Sequence, residues 1–166
     1  MSAGDFLEEA RANNPGGLPW EYHDGGRKAA GFRGKAGDCV TRALSIALDL
    51  DYRGLYDGLA KGNRTFWEAR AKRAKNPRHA KVYEGRISAT ARNGSSPQVF
   101  EPVLAEAGWV KVKFPKGSRL SDLPTDALLV VSLRSHLVVV DHGVIRDTFD
   151  SSYGYNRPAF SYWRAA

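Results

Sequence analysis

The 166 residues, 42% of them hydrophobic, suit one globular domain with a real core and leave little room for a second. Cys39 is the only cysteine, which excludes an internal disulfide framework and points to a reduced, cytoplasmic setting. A net charge of +7 and a pI near 9.7 favour an acidic partner, whether nucleic acid, an acidic protein or an anionic surface, although the same charge also serves solubility.

In chain order, Phe6 to Ala12 have the makings of a short helix, but "NNPGGLP" breaks it, so residues 1–21 read as a flexible lead-in. That stretch carries acidic groups and no long apolar run, so neither a signal peptide nor an anchor is expected. No later segment approaches the ~20 apolar residues of a membrane helix, so no membrane partner is expected either. "YHDGGRKAAGFRGKAG" follows as a glycine-rich, basic loop. From Asp38 the pattern changes. Val40, Ala43, Leu44 and Ala47 fall at i, i+3, i+4 and i+7, one face of a helix whose first turn holds Cys39, with Asp38 as its N-cap. "DYRGLYDGLAKG" fits a second helix and "RTFWEARAKRAKN" a third. "GSSPQVFEPVLAEAGW" reads as an N-cap serine, an early proline, an amphipathic helix and a stop at Gly108. The period then changes: "WVKVKF", "ALLVVSL", "HLVVVD" and "GVIRDTF" are rich in β-branched residues and mark strands. Helices first and an antiparallel sheet afterwards give an α+β fold in one domain over residues 22–166.

Cys39 is the first candidate for chemistry. At a helix N-terminus the positive end of the dipole and the early N–H groups favour thiolate over thiol, and Arg33, Lys35 and Arg42 push the same way. Asp38 pushes against it unless its carboxylate is occupied in capping. The bland alternative is a small buried apolar residue. A nucleophilic cysteine needs a histidine to take its proton and a third group to orient that histidine, and both can lie far along the chain. Of His23, His79, His136 and His142, His136 opens a strand whose partner strand carries Asp147 and, beyond it, Asp150. A two-residue turn at His142-Gly143 places Val138 opposite Asp147 and makes His136 and Asp147 diagonal neighbours. A three-residue loop places Asp150 opposite His136 instead. Asp147 is the first choice of orienter and Asp150 the alternative, set against a plain strand-edge histidine with solvated aspartates. His142 reads as a turn residue, and His23 and His79 as surface groups.

"GDCVTRALSIAL" followed by "HLVVVDHGVIRDTFD" resembles the papain-like cysteine peptidase superfamily, with a helix-borne cysteine first and then histidine and Asp on consecutive antiparallel strands. More narrowly, "YHDGGRKAAGFRGKAGDCVTRAL" with that strand pair is similar to a group of uncharacterised bacterial and phage proteins, over about residues 22 to 153. The resemblance implies a papain-like α+β fold with the nucleophile helix packed on the sheet. It also implies a Cys39–His136–Asp147 triad and acyl transfer: hydrolysis of an amide, isopeptide or thioester bond in a peptide or protein substrate, acidic ones included. The chain departs from the pattern in one respect. Residues 23 to 38 hold no glutamine or asparagine for the oxyanion, leaving Arg33 or Lys35 as donors, with Asp38 as the other charged group beside the thiol.

No C-x-x-C, H-x-x-x-H or H-E-x-x-H spacing occurs, so no metal or other cofactor is expected. "RTFWEARAKRAKNPRHAK" carries Arg64, Arg70, Lys72, Arg73, Lys75, Arg78 and Lys81 around Phe66 and Trp67. It is either a phosphate-tracking surface or, the favoured expectation, a solvated helix face whose aromatics pack on the core. The alternative to an enzyme is accordingly a catalytically inactive papain-like fold that binds nucleic acid or an acidic protein. "YGYNRPAFSYW" lines a substrate groove or covers the sheet edge; the residues alone do not separate the two.

Overall fold

The structure, a computed structural model, describes residues 2–87 and 90–166; Met1, Ser88 and Ala89 lie outside the described residues. The fold is α+β, with five α-helices and a six-stranded mixed sheet among the described residues. The chain divides into two compact units: the first 24 residues with Gly108–Ala166, and Gly25–Ala107.

The first unit holds α1 (Ala3–Asn13) and all six strands: β1 (Trp20–Tyr22), β2 (Trp109–Lys113), β3 (Leu128–Leu133), β4 (His136–Asp141), β5 (Val144–Asp147) and β6 (Ser161–Ala165), in the order β1-β5-β4-β3-β6-β2. Leu129, Val131 and Leu133 of β3, Val138 and Val140 of β4 and Ile145 of β5 alternate onto one face, where they meet Leu120, Leu123, Ala159 and Tyr162. Each of the Leu, Ile and Val side chains stabilises the unit by about 1.5–3 kcal/mol on leaving water. Val130 and Val139, on the opposite face, are equally buried, which explains why these strands read as unbroken apolar runs.

Residues 1–21, expected as a flexible lead-in, hold α1 and most of β1. Ser2 and Asp5 close a capping box on α1. The Asn156 N–H donates to the Asn14 carbonyl at 2.8 Å. β1 lies parallel to β5, with Trp20 opposite Ile145 and Tyr22 opposite Asp147. Glu21 and Arg146, directly opposite each other, form an ion pair. The sheet is therefore mixed, not purely antiparallel. The C-terminal aromatics do not cover an edge either: β6 is an interior strand between β3 and β2, and Tyr162 and Trp163 are buried. Both pairings join segments far apart in sequence, which local propensity does not report.

The second unit holds α2 (Cys39–Leu48), α3 (Tyr52–Arg73), α4 (Pro77–Glu84), a short 3-10 turn Ala91–Asn93 and α5 (Pro97–Glu106). Val40, Ala43, Leu44 and Ala47 are buried on α2 as their spacing predicts. The expected second and third helices are one helix, α3. Gly62 does not interrupt it, because the missing side chain is what admits α5: a Cβ there would stand 2.8 Å from Val99 Cγ1. α4 starts at the Asn76-Pro77 pair, with the Asn76 side chain accepting from the Arg78 N–H at 2.9 Å. No helix among the described residues is long and apolar enough to cross a membrane.

Candidate active site

The β4–β5 hairpin closes through His142 and Gly143, both with positive φ (48° and 86°), the two left-handed residues of a type I′ turn. Asp141 pairs with Val144, Val140 with Ile145 and Val139 with Arg146, the register expected of a two-residue turn. His136 and Asp147 are thereby diagonal neighbours on one face, and His136 Nε2 lies 2.7 Å from Asp147 Oδ2. Their side chains are 12% and 4% exposed, so the pair is held largely out of water.

Two further groups donate to the Asp147 carboxyl. The Thr148 N–H donates to Oδ1 at 2.7 Å, and the Ser151 hydroxyl donates to Oδ2. Ser151 Oγ also lies 3.3 Å from His136 Nε2. A carboxylate accepts at each of these positions, and the set fixes its plane. The Asp147 main chain is fixed as well, its carbonyl accepting from the His23 N–H at 2.9 Å and from Trp20 Nε1 at 3.1 Å.

Asp150, the alternative orienter, does not meet His136. Its Oδ1 accepts from the Ser152 N–H at 2.9 Å and from the Ser152 hydroxyl at 2.6 Å, forming the Asx turn that carries the chain past Ser151. Buried Arg157 supports that turn: it donates to the Ser151 carbonyl at 2.6 Å and to the Arg134 carbonyl at 3.4 Å, and its guanidinium sits 5.0 Å over the Tyr153 ring. Phe149 packs 5.3 Å from the His136 ring and stacks on Tyr153, and both aromatics stay substantially exposed beside the histidine. His142 is the turn residue its position predicts. Its Nδ1 lies 2.7 Å from Asp141, and this hydrogen bond, with Arg146 nearby, holds the Asp141 carboxyl below the usual carboxylate range.

In the second unit Cys39 is the first residue of α2 and is partly exposed. The first main-chain bond of that helix runs from the Arg42 N–H to the Asp38 carbonyl at 3.1 Å, so the N–H groups of Cys39, Val40 and Thr41 lie ahead of it, at the positive end of the dipole. Asp38 occupies the N-cap position, but its side chain does not cap. The carboxylate is fully buried and bound by Arg42, by the Tyr52 hydroxyl and by Arg27, whose Nε lies 3.0 Å away. Two guanidinium groups are thus set against the one Asp38 carboxylate at the start of α2. Burial, reinforced by the bond to Asp38, pushes the Tyr52 hydroxyl well above the usual tyrosine range.

The loop ahead of Cys39 is built rather than floppy. Arg27 donates to the Arg33 and Gly34 carbonyls at 3.0 and 2.9 Å, and Arg92 donates to the Lys35 carbonyl at 2.7 Å. Asn63, buried on α3, holds the Thr90 and Gly94 carbonyls at 3.2 and 3.0 Å. Gly25, at φ 66°, lies against α2, where a Cβ would stand 2.9 Å from the Arg42 carbonyl oxygen. Arg33 and Lys35, expected as oxyanion donors, enter this construction through their carbonyls, and both residues are exposed.

Sequence reasoning missed Arg27, Tyr52, Thr148, Ser151 and Arg157. Only the Asx-turn composition "DSSYG" offered a local signal, for the turn that carries Ser151. Among the described residues no group of three or more His, Cys, Asp or Glu is placed to hold a metal. The chain matches no family model, no curated protein and no solved structure.

Proposed function

We propose that the protein is a cysteine-dependent hydrolase of amide, isopeptide or thioester bonds with a papain-like arrangement, in which Cys39 is the nucleophile, His136 the general base and acid, and Asp147 the orienter. One observation carries the reading: a largely buried His136–Asp147 pair at 2.7 Å whose carboxylate also accepts from the Thr148 N–H and the Ser151 hydroxyl. A histidine that merely ends a strand needs no such frame. With Nε2 committed to Asp147, Nδ1 is the nitrogen through which a proton is exchanged. Cys39 Sγ attacks the substrate carbonyl carbon as its proton passes to Nδ1. The tetrahedral intermediate collapses to a thioester as Nδ1 protonates the leaving group, and water, deprotonated by the same nitrogen, then releases the acid and restores the thiol. Asp147 stays a carboxylate throughout and stabilises the imidazolium. Phe149 and Tyr153, beside His136, supply an aromatic wall for the substrate.

The test is the pH dependence of Cys39 alkylation by iodoacetamide in wild type and His136→Ala. The reading requires alkylation well below the pKa of about 8.5 of an ordinary thiol, lost in the variant. A thiol that titrates alike in both proteins refutes it.

A further inference from the structure

The basic stretch that ends α3 and forms α4 takes no part in the site described above. Between residues 64 and 86 stand eight Lys/Arg and two Glu, six of the chain's seven net positive charges. All eight cations (Arg64, Arg70, Lys72, Arg73, Lys75, Arg78, Lys81 and Arg86) are exposed. The two helices pack on each other across the short link 74–76, so the charges gather on one helical hairpin.

The aromatics in this stretch also engage its cations. Phe66, Trp67 and Tyr83 are only half-buried, and the Trp67 and Tyr83 rings stack at 5.8 Å. Arg70 sits 5.0 Å from the Tyr83 ring and 5.5 Å from Phe66, and Arg86 lies 4.7 Å over Trp67. The rings thus hold two guanidinium groups in place. A guanidinium fixed on an aromatic face loses little further freedom when it binds an anion.

We propose that the α3–α4 hairpin is a docking surface for duplex nucleic acid, bound through its phosphates. Charge complementarity sets the class of partner, since six excess cations on one hairpin match a polymer carrying about one negative charge per 1.7 Å. Guanidinium groups pair with phosphate bidentately. The arrangement of the aromatics favours the duplex over a single strand: the Trp67 ring stacks on Tyr83 and carries Arg86 at 4.7 Å, and Phe66 and Tyr83 carry Arg70, so these rings are engaged within the hairpin rather than laid out as a platform for unstacked bases. This surface is independent of the hydrolase reading.

The experiment is fluorescence anisotropy of a labelled 20-base-pair DNA duplex with the full chain between 50 and 200 mM salt, with the single strand, anionic phospholipid vesicles and polyglutamate as competitors. Affinity for the duplex should fall at least tenfold over that range. Lys72→Glu/Lys75→Glu/Lys81→Glu should weaken binding at least thirtyfold. The same change in net charge placed at Lys113, Lys116 and Arg134 of the other unit should weaken it less than threefold. If circular dichroism shows the triple reversal unfolded, the neutral Lys72→Gln/Lys75→Gln/Lys81→Gln variant carries the test, with about a tenfold loss and a shallower salt slope expected. The proposal is overturned by no duplex binding at 50 mM salt, by equal losses in the two triple variants, or by competition from the single strand, vesicles or polyglutamate as effective as that from unlabelled duplex.

Discussion

Replacing Asp38 by Asn keeps the shape of the side chain and removes the one negative charge from a site that holds two guanidinium groups and a tyrosine hydroxyl. The wild-type carboxylate accepts from Arg42 on one oxygen and from Tyr52 on the other, and Arg27 Nε forms an ion pair with that second oxygen at 3.0 Å. An asparagine presents one oxygen and one NH₂, so at least one donor faces another donor, and the Arg27 and Arg42 charges lose their counter-charge in a site where Asp38 itself is fully buried. Breaking a buried ion pair by removing one partner costs about 3–5 kcal/mol. For a chain of this size each kcal/mol lowers Tm by roughly 2–4 °C, so the variant should melt about 6–20 °C below wild type. Denaturant unfolding followed by circular dichroism measures the cost, and Asp38→Asn/Arg42→Met isolates the coupling, because removing the uncompensated cation should recover part of the loss. A loss below about 1 kcal/mol, or no recovery in the double variant, would refute the view that Asp38 anchors the start of α2 and the loop before it. The same variant should slow low-pH alkylation of Cys39, since it loosens the frame that fixes the thiol.

Asp147→Asn should reduce alkylation of Cys39 at pH 6 about tenfold or more, because the imidazolium loses its counter-charge. Ser151→Ala should give a smaller loss in the same assay, and equal rates in wild type and Asp147→Asn would sink the orienting role. Tyr52 has its hydroxyl pKa raised in the folded protein, so its contribution is fully present below the unfolded value of 10.0 and fades as pH rises above it. Chemical denaturation between pH 9 and 11.5 should therefore show a steeper alkaline loss in wild type than in Tyr52→Phe, and parallel curves would contradict this. Gly62→Ala should destabilise by about 1–2 kcal/mol despite the better helix propensity of alanine, because the new Cβ meets Val99 Cγ1 at 2.8 Å. Val99→Ala in the same chain should restore most of the loss; additive losses would show that the close approach of α5 does not set the cost.

Much of this molecule is decided locally and is legible in the residues alone. The i, i+3, i+4, i+7 spacing of Val40, Ala43, Leu44 and Ala47 fixes the buried face of α2 and puts Cys39 in its first turn. The His142-Gly143 turn fixes the hairpin register, and with it the meeting of His136 and Asp147, because two residues that accept positive φ admit one pairing of the flanking strands. The i, i+4 spacing of Asp38 and Arg42 likewise brings them together by helical geometry. Tertiary structure decided the rest. Whether Asp38 caps or turns inward depends on Arg27 and Tyr52, which reach it from another loop and another helix. The placement of β1 beside β5 and of β6 between β3 and β2 joins distant segments through main-chain bonds that carry no residue code. Gly62 reads as a helix break until α5 is seen to need the space. Periodicity and turn chemistry act over a few residues and leave their mark in the sequence; packing between distant segments is set by shape and by unsatisfied donors, and only the folded chain brings those together.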